Sequence, residues 1–416
     1  MSAVAEPPPD CDVAVVGAGI VGLAVARELA LRREGSEVIV LEREPQPALH
    51  QTGHSSGVVH SGIYYEPGSL KAELCVAGAR ELYEYCEQRG IPAQRTGKLI
   101  VATDDRQLPA LAELERRGRR NGVPGLRRLD PAEIAEIEPH AVGVAALHSP
   151  STGVVDFVGV ASAFAADLIE RDGLVVTGRT VEAVEEDARG VVLRHAAVAG
   201  GPDQGSARMR AKAVVVCAGL WADRLAVAAG APPEPRIVPF RGGYLRLRAD
   251  RADLVRTSIY PVPDPELPFL GAHLTRGLDG EVLLGPSALL VGARDAYRPW
   301  RVDWRDLRES LSWPGTWRLG RRHWRAALGE LARAASKRAF VAEARRMVPA
   351  LRATDFVRGP AGIRAQALAR DGTLVDDFVV SQTDRALYVR NAPSPAATSA
   401  LPLARLIADR LEGALG

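Results

Sequence analysis

Lysine is the scarcest charged residue in this chain. Of 53 basic side chains only Lys71, Lys98, Lys212 and Lys337 are lysines, and 51 acidic residues leave a net charge of +2. No field of one sign exists to attract nucleic acid, so no nucleic-acid partner is expected. The arginine excess reads as genomic base composition. Cysteine is also sparse: Cys11, Cys75, Cys86 and Cys217 form no CxxC pair and no metal-ligand spacing. That excludes a disulfide framework, leaves no expected metal, and suits free thiols in a reducing compartment such as the cytoplasm. Long apolar runs are missing too. The longest uncharged apolar stretch, Val13–Ala26, is interrupted by glycines, and it falls short of the roughly 20 residues that span a bilayer. Residues Met1–Asp10 are proline-rich and acidic, unlike the basic start and apolar centre of a signal or transit peptide. No internal repeat is present. What remains is a 416-residue chain, 47% hydrophobic and 25% charged, long enough for two domains or one large elaborated one.

The strongest positive signal is Gly17-Ala18-Gly19-Ile20-Val21-Gly22, placed between the apolar run Asp12–Val16 and an apolar helical stretch. Twenty residues past the last glycine, Glu42 closes a second apolar run, Val38–Leu41. Strand, turn, helix, strand and acid together form a dinucleotide-binding unit. The first glycine permits the tight turn, the second lets backbone approach a pyrophosphate, and the third lets helix and strand pack closely. The helix N-terminus adds free N–H groups and partial positive charge, and Glu42 is placed to accept from ribose hydroxyls.

Further along, helical spacing runs over Ser69–Arg89, Gln107–Gly122, Pro131–Glu138 and Asp156–Arg171. Asp130 and Glu133 stand at capping-box positions. Leu174–Thr177, Val181–Val184 and Val191–Arg194 read as short strands. Lys212–Cys217 reads as a buried strand ended by Ala218-Gly219, and Ala386–Arg390 as another. Residues 236–350 have a different texture, with proline-punctuated strands followed by helices. Five of the six tryptophans (Trp300, Trp304, Trp313, Trp317, Trp324) fall in the helical part, and twelve Arg/Lys stand against five Asp/Glu between Arg301 and Arg346. Such a stretch suits a peripheral membrane contact. It equally suits a solvated basic face, which is the expectation because no single strongly amphipathic helix emerges.

Two loops rich in small residues complete the pattern. Gln51–Tyr65 is dense in Gly, Ser, His and Tyr and follows the acid of the second strand. Asn391–Ala400 follows a strand and opens the last helix. Small residues at a helix start allow close approach of an anion or a polar ring edge. One loop early and one late imply a cofactor threaded through the whole unit, and FAD has that length.

On these residues the chain resembles the FAD-dependent L-2-hydroxyglutarate oxidases/dehydrogenases, within the D-amino-acid-oxidase-like flavoprotein superfamily. The matching stretches are Gln51–Tyr65, Pro67–Ala72, Arg236–Gly242, Ile259–Pro265, Pro268–Gly271, Arg358–Ala367, Asp371-Gly372, Leu374–Phe378 and Asn391–Ser399, with Trp300–Arg346 only loosely matched. Two departures exchange an amide for a hydroxyl: Ser55 where the family commonly has Asn, and Ser287 where it often has Asn. The resemblance implies oxidation of L-2-hydroxyglutarate to 2-oxoglutarate, with hydride passing from C2 to flavin N5. A histidine best meets the need for a base near the working pH; His60 is the first choice and His273 the second. A dicarboxylate suits arginine forks, which points to Arg241 and Arg364, with Tyr64, Tyr65 and Tyr260 as further substrate contacts. The cofactor cradle is expected at Gly17, Gly19, Ile20, Val21, Gly22, Glu42, Arg43, Thr52, His54, Ser55, Ser56, Gly57, Val184, Ala218, Gly219, Gly362, Asn391, Ser394, Ala396, Ala397 and Thr398. Some superfamily relatives attach FAD through a histidine in a His-x-x-Gly loop such as the one at His54; the matched family implies a non-covalent cofactor.

The expected fold is α/β: a discontinuous Rossmann-type FAD-binding domain (1–92, 151–235, 355–416) and a mainly β substrate domain with extra helices (93–150, 236–354). Two alternatives stand beside the hydroxy-acid reading. One is an FAD amine or amino-acid oxidase on the same scaffold, the other a non-catalytic flavin-binding subunit. The electron acceptor stays open between oxygen, a quinone and a carrier protein, and the location is expected to be cytoplasmic, with or without peripheral attachment to the inner face of the membrane.

Overall fold

The computed structural model describes residues 6–198, 206–264 and 271–415. The matched segment Pro268–Leu270, and Pro265 before it, lie outside them.

The first sheet grows from the opening unit. Strand β1 (Asp10–Val16) leads through Gly17 into helix α1 (Ile20–Arg32) and returns as β2 (Val38–Leu41), parallel to β1. Their apolar runs are continuous because both faces are covered, as parallel sheets require. Val13, Val15, Val38 and Val40 point into one core with α1 and the helices Phe157–Ile169 and Ala400–Leu415. The alternate residues Ala14, Val16, Ile39 and Leu41 point into a second core on the other face, as the two-residue period of a strand dictates. Leu174–Val176 extends the sheet beyond β2. On the other side, Ser206–Val216 runs parallel to β1 and then to Ala386–Asn391. The antiparallel pair Arg179–Asp187 and Gly190–Ala197 packs against the first half of that long strand.

A second, nine-stranded sheet holds Lys98–Ala102, Arg127–Leu129, Ala145–Ser149, Arg236–Leu247, Ser258–Pro261, His273–Arg276, Val282–Gly285, Leu289–Leu290 and Phe356–Leu368. Its backbone is the ladder between Arg236–Leu247 and Phe356–Leu368. The last of these corrects an expectation: residues 356–368, assigned by pattern to the FAD-binding domain, are a strand of the second sheet. Proline and glycine inside Arg358–Ala367 hid a strand whose ladder is formed with Arg236–Leu247, more than a hundred residues away. A three-stranded sheet, Val58–Val59, Ala93–Gln94 and Gly153–Val155, lies between the units.

The expected helices form close to their expected bounds: Leu70–Arg89, Leu108–Arg120, Pro131–Ile137 and Phe157–Ile169. The capping box at Asp130 and Glu133 is reciprocal, each side chain accepting the other's backbone N–H at 2.9 Å. The tryptophan-rich region becomes four short helices, Trp304–Ser312, Pro314–Arg322, Trp324–Ala335 and Lys337–Ala344. Trp313 is buried and donates its indole N–H to the Leu368 carbonyl at 3.0 Å. Trp300, Trp304, Trp317 and Trp324 are each more than half exposed, Trp304 at 79%. Among the described residues no helix is long and apolar enough to cross a membrane.

Candidate active site

One cavity of about 1010 Å³ runs from the opening of α1 to the second sheet. At its nucleotide end each glycine has a separate physical duty. Gly17 sits at φ +103°, and a Cβ there would meet the Cys217 carbonyl oxygen at 2.5 Å. A Cβ on Gly22 would lie 2.0 Å from the Gly17 carbonyl oxygen, so the first turn of the helix packs directly on the turn that precedes it. Gly19 is different. A Cβ there would meet only Thr52 Oγ1 at 3.6 Å, leaving the backbone open to the cavity. Thr52 Oγ1 accepts the Ile20 N–H at 3.1 Å. Glu42 is buried and ties the unit together: one carboxylate oxygen accepts from Ala18 N–H at 2.6 Å, the other from Glu44 N–H at 2.8 Å. Each oxygen keeps a second lone pair. Arg43 stacks over the Trp221 ring at 3.8 Å.

In the middle of the cavity the two small-residue loops meet. The His60 backbone N–H donates to Thr398 Oγ1 at 3.1 Å, and His60 Nε2 lies 3.3 Å from Ser394 Oγ. The ring is half-buried, and its Nδ1 has no partner among the described residues. Burial, reinforced by Lys98, His273 and Lys71, pushes His60 well below the ordinary histidine range, which favours the neutral ring. His54 stacks on Tyr297 with centroids 3.8 Å apart, and its Nδ1–H donates to the Ala361 carbonyl at 2.9 Å. Asn391 donates to the carbonyls of Val375 and Asp377 at 2.9 and 2.8 Å, fixing the start of the C-terminal loop.

The far end is formed by the second sheet. Tyr260 and His273 stack with centroids 3.8 Å apart, and His273 Nδ1–H donates to the Gly271 carbonyl at 3.0 Å. Burial pushes His273 down to about 3 and lifts the phenols of Tyr64 and Tyr65 well above their usual range. Both phenols therefore stay protonated as donors. Lys71 lies over the Tyr65 ring at 4.7 Å and pairs with Asp376 at 2.7 Å. Arg364 and Tyr244 complete the lining.

The sequence of a known family fits this architecture from end to end: the profile of FAD dependent oxidoreductases matches residues 12–410. The chain belongs to that family. It is 44% identical to the mitochondrial L-2-hydroxyglutarate dehydrogenase of Homo sapiens, over 96% of this chain and 88% of that protein. It is 40% identical to the L-2-hydroxyglutarate dehydrogenase of Indibacter alkaliphilus, over 96% and 98%. Among solved structures, it is similar to FAD-bound, dithionite-reduced L-alpha-glycerophosphate oxidase from Mycoplasma pneumoniae, with a TM-score of 0.76 at 22% identity over 97% of this chain and 95% of that one. Glycine oxidase from Geobacillus kaustophilus follows the same fold, with a TM-score of 0.69 at 20% identity over 98% and 95%.

The residues of this oxidoreductase fit the cofactor that its family name requires. The open backbone at Gly19, the N–H groups at the start of α1 and the length of the cavity suit an extended dinucleotide. Most of the expected site residues line it: Gly17, Gly19, Ile20, Val21, Gly22, Glu42, Arg43, Thr52, His54, Ser55, Ser56, His60, Tyr64, Tyr65, Ala218, Gly219, Tyr260, His273, Gly362, Arg364, Asn391, Ser394, Ala396, Ala397 and Thr398. Three do not. Arg241 lies on the face opposite Arg364, since Phe240 pairs with Arg364 and Arg241 with Ile363; Ile237, Ile363 and Ala365 reach the cavity from that face, but Arg241 does not. Its Nε donates instead to the Tyr297 carbonyl at 3.1 Å. Val184 is buried in the second core; the strand meets the cavity earlier, at Arg179–Glu182. Gly57 serves the chain, holding φ +72° while its carbonyl accepts from Val155 N–H at 2.8 Å. The two departures are likewise local: Ser287 Oγ accepts the Gly243 N–H at 3.0 Å, and Ser55 Oγ the Gly57 N–H at 3.4 Å.

Pattern reading missed Lys71, Tyr244, Trp221, Asp376 and Gln366 as lining residues. Lys71 was visible in the matched segment Pro67–Ala72. Tyr244 and Gln366 had a signal only once the ladder itself was known.

Proposed function

We propose that the chain oxidises L-2-hydroxyglutarate to 2-oxoglutarate on non-covalently held FAD, with His60 as the base. The observation that carries this reading is the place of His60, in the lining where the dinucleotide cradle meets the pocket of Tyr64, Tyr260, His273 and Arg364, with its Nε2 3.3 Å from Ser394 Oγ. When bound, FAD supplies the two-electron acceptor for the hydride leaving C2. His60 takes the hydroxyl proton as the C=O bond forms. Arg364 offers a fork to one carboxylate, and Tyr64, Tyr65 and Tyr260 donate hydrogen bonds. Gly17–Gly22 and the first turn of α1 hold the pyrophosphate, and Glu42 and Thr180–Glu182 the adenosine side. His273, with its depressed basicity and its ring fixed by Tyr260 and Gly271, orients substrate as a hydrogen-bonding partner. Arg364 and the Lys71–Asp376 pair both line the cavity, so the preference for the hydroxy acid over an amine rests on the relatives and not on the charge of the lining.

The discontinuous FAD-binding domain then comprises 1–92, 151–235 and the chain after 368, with Phe356–Leu368 given to the substrate domain. Four free thiols, Cys11, Cys75, Cys86 and Cys217, suit a reducing compartment such as the cytoplasm. The exposed Trp300, Trp304, Trp317 and Trp324, among their arginines, would be available to an anionic membrane surface, and the electron acceptor stays open between oxygen, a quinone and a carrier protein.

Anaerobic mixing of the yellow protein with L- and D-2-hydroxyglutarate, followed at the flavin absorbance near about 450 nm, tests the reading. Bleaching by the L form alone is the expected result. Absence of bleaching by either acid, with FAD bound, would refute it. Bleaching by amino acids in their place would establish the amine oxidase, and no reduction by any small donor the non-catalytic subunit.

A further inference from the structure

Lys98 opens the strand Lys98–Ala102, between Ser149 and Ser258 on the adjoining strands. It is 1% exposed. Among the described residues its ammonium has no carboxylate and no hydrogen-bond acceptor; it lies 4.1 Å from the ring centroid of Tyr260 and 5.2 Å from that of Tyr64. Lysine is almost never fully buried without a partner, and two aromatic faces offset only part of its lost hydration. Both rings line the substrate end of the cavity, as do His60 and His273. When protonated, Lys98 therefore sets an uncompensated positive charge one aromatic ring behind the place where the substrate would lie.

The geometry points to Lys98 as the residue that selects a doubly charged substrate, its ammonium balanced only when a dicarboxylate occupies the pocket. This rests on the substrate reading given above. Lys98 acts through Tyr64 and Tyr260 and through the field it lays on both histidines, so it is a positioning residue. The groups facing it are His60 and Tyr64 from the loop, Cys75 from the helix Leu70–Arg89, and Ser149 from the strand Ala145–Ser149. Ser258 and Tyr260 face it from the strand Ser258–Pro261, and His273 from His273–Arg276. None of these is an aspartate or glutamate. Burial pushes the ammonium down to about 7, so its charge is present below that pH and lost above it. A bound dianion favours the charged form, and binding on the alkaline side takes up a proton.

The test uses the FAD-loaded enzyme and two non-reducing probes, 2-oxoglutarate (two charges) and pyruvate (one), with binding read from the flavin spectrum at about pH 6 and about pH 8.5. Wild type should lose affinity for 2-oxoglutarate at the higher pH, and calorimetry in two buffers should show proton uptake there. Lys98→Met should weaken 2-oxoglutarate roughly 10- to 100-fold and pyruvate less than about threefold, because pyruvate, shorter by one methylene, lacks the second carboxylate that the ammonium would balance. Its pH dependence should vanish, and its melting midpoint should stay or rise, since an unpaired buried charge has gone. Lys98→Arg should keep the affinity and lose the alkaline fall, because guanidinium stays charged. A Lys98→Met enzyme that binds 2-oxoglutarate like wild type with the same pH dependence, or loses both acids equally, overturns the assignment. Wild type that binds neither acid overturns the substrate reading as well.

Discussion

Gly19 and Gly22 stand one turn apart at the start of α1, yet alanine should harm the protein through different routes at the two sites. At Gly22 the new Cβ would fall 2.0 Å from the Gly17 carbonyl oxygen and 3.2 Å from Cys217 Cβ. Alanine gains about 1 kcal/mol of helix propensity over glycine, whereas forcing a methyl into packed space costs about 1–3 kcal/mol or more. The clash is with backbone at both ends of a tight turn, which cannot rotate aside, so the cost wins. Gly22→Ala should lower the stability of FAD-free protein by at least about 1–2 kcal/mol. At Gly19 the methyl meets only Thr52 Oγ1 at 3.6 Å, and the penalty is that of a poorer N-cap, about 0.5 kcal/mol. There the methyl occupies the space through which a pyrophosphate would approach the N–H groups. Losing one or two charge-assisted hydrogen bonds should cost about 2–3 kcal/mol, or roughly 30- to 150-fold in FAD affinity. Tryptophan fluorescence melts, with and without graded FAD, separate the two. FAD at one hundred times its Kd stabilises wild type by about 2.7 kcal/mol; Gly19→Ala should melt near wild type without FAD and lose most of that gain. If Gly19→Ala kept its full FAD shift, the pyrophosphate would not lie against Gly19. If Gly22→Ala melted like wild type, the packing argument would fail.

His60→Asn should retain FAD while slowing anaerobic flavin reduction by roughly 10²- to 10⁴-fold. Because burial depresses His60, its base form persists as pH falls from neutral, so the acidic limb of wild-type kcat/KM should lie below the ordinary histidine range; a limb near about 6.5 would contradict this. Arg364→Lys should raise KM for the hydroxy acid more than about tenfold, since ammonium cannot replace a bidentate fork. Arg241→Lys, at a position outside the lining, should change it less than about threefold, and the reverse order would refute the assignment of Arg364 to the substrate. Trp304→Ser combined with Trp317→Ser should reduce co-sedimentation with vesicles rich in anionic lipid while leaving catalysis in solution unchanged; equal sedimentation would remove the membrane contact.

The opening unit was legible because its signals are local. Three glycines, two apolar runs and an acid lie within thirty residues, and each has a steric or electrostatic reason that needs no distant partner. Helices such as Leu70–Arg89 and Pro131–Ile137 were legible for the same reason, through apolar spacing and caps. Phe356–Leu368 was misassigned because its sequence, broken by Gly359, Pro360 and Gly362, carries no strand-like alternation of its own. Its identity comes from the ladder with Arg236–Leu247, more than a hundred residues away.

The same division explains which lining residues were legible. His60, Tyr64 and Tyr65 were reachable since they share one loop with the cradle residues. Arg241 and Arg364 looked equivalent in sequence, each in a glycine-flanked segment, and only register separates them: Phe240 pairs with Arg364, and Arg241 with Ile363. One residue of slip would bring the two arginines onto the same face. Lys98 had no motif at all. In a chain with four lysines, a lysine opening an apolar strand looks like an edge residue that reaches for water. The structure puts strands on both sides of it and two tyrosines over its ammonium. The charge that best matches a dianionic substrate was thus invisible to pattern, because what makes it functional is the absence of a counter-charge in three dimensions.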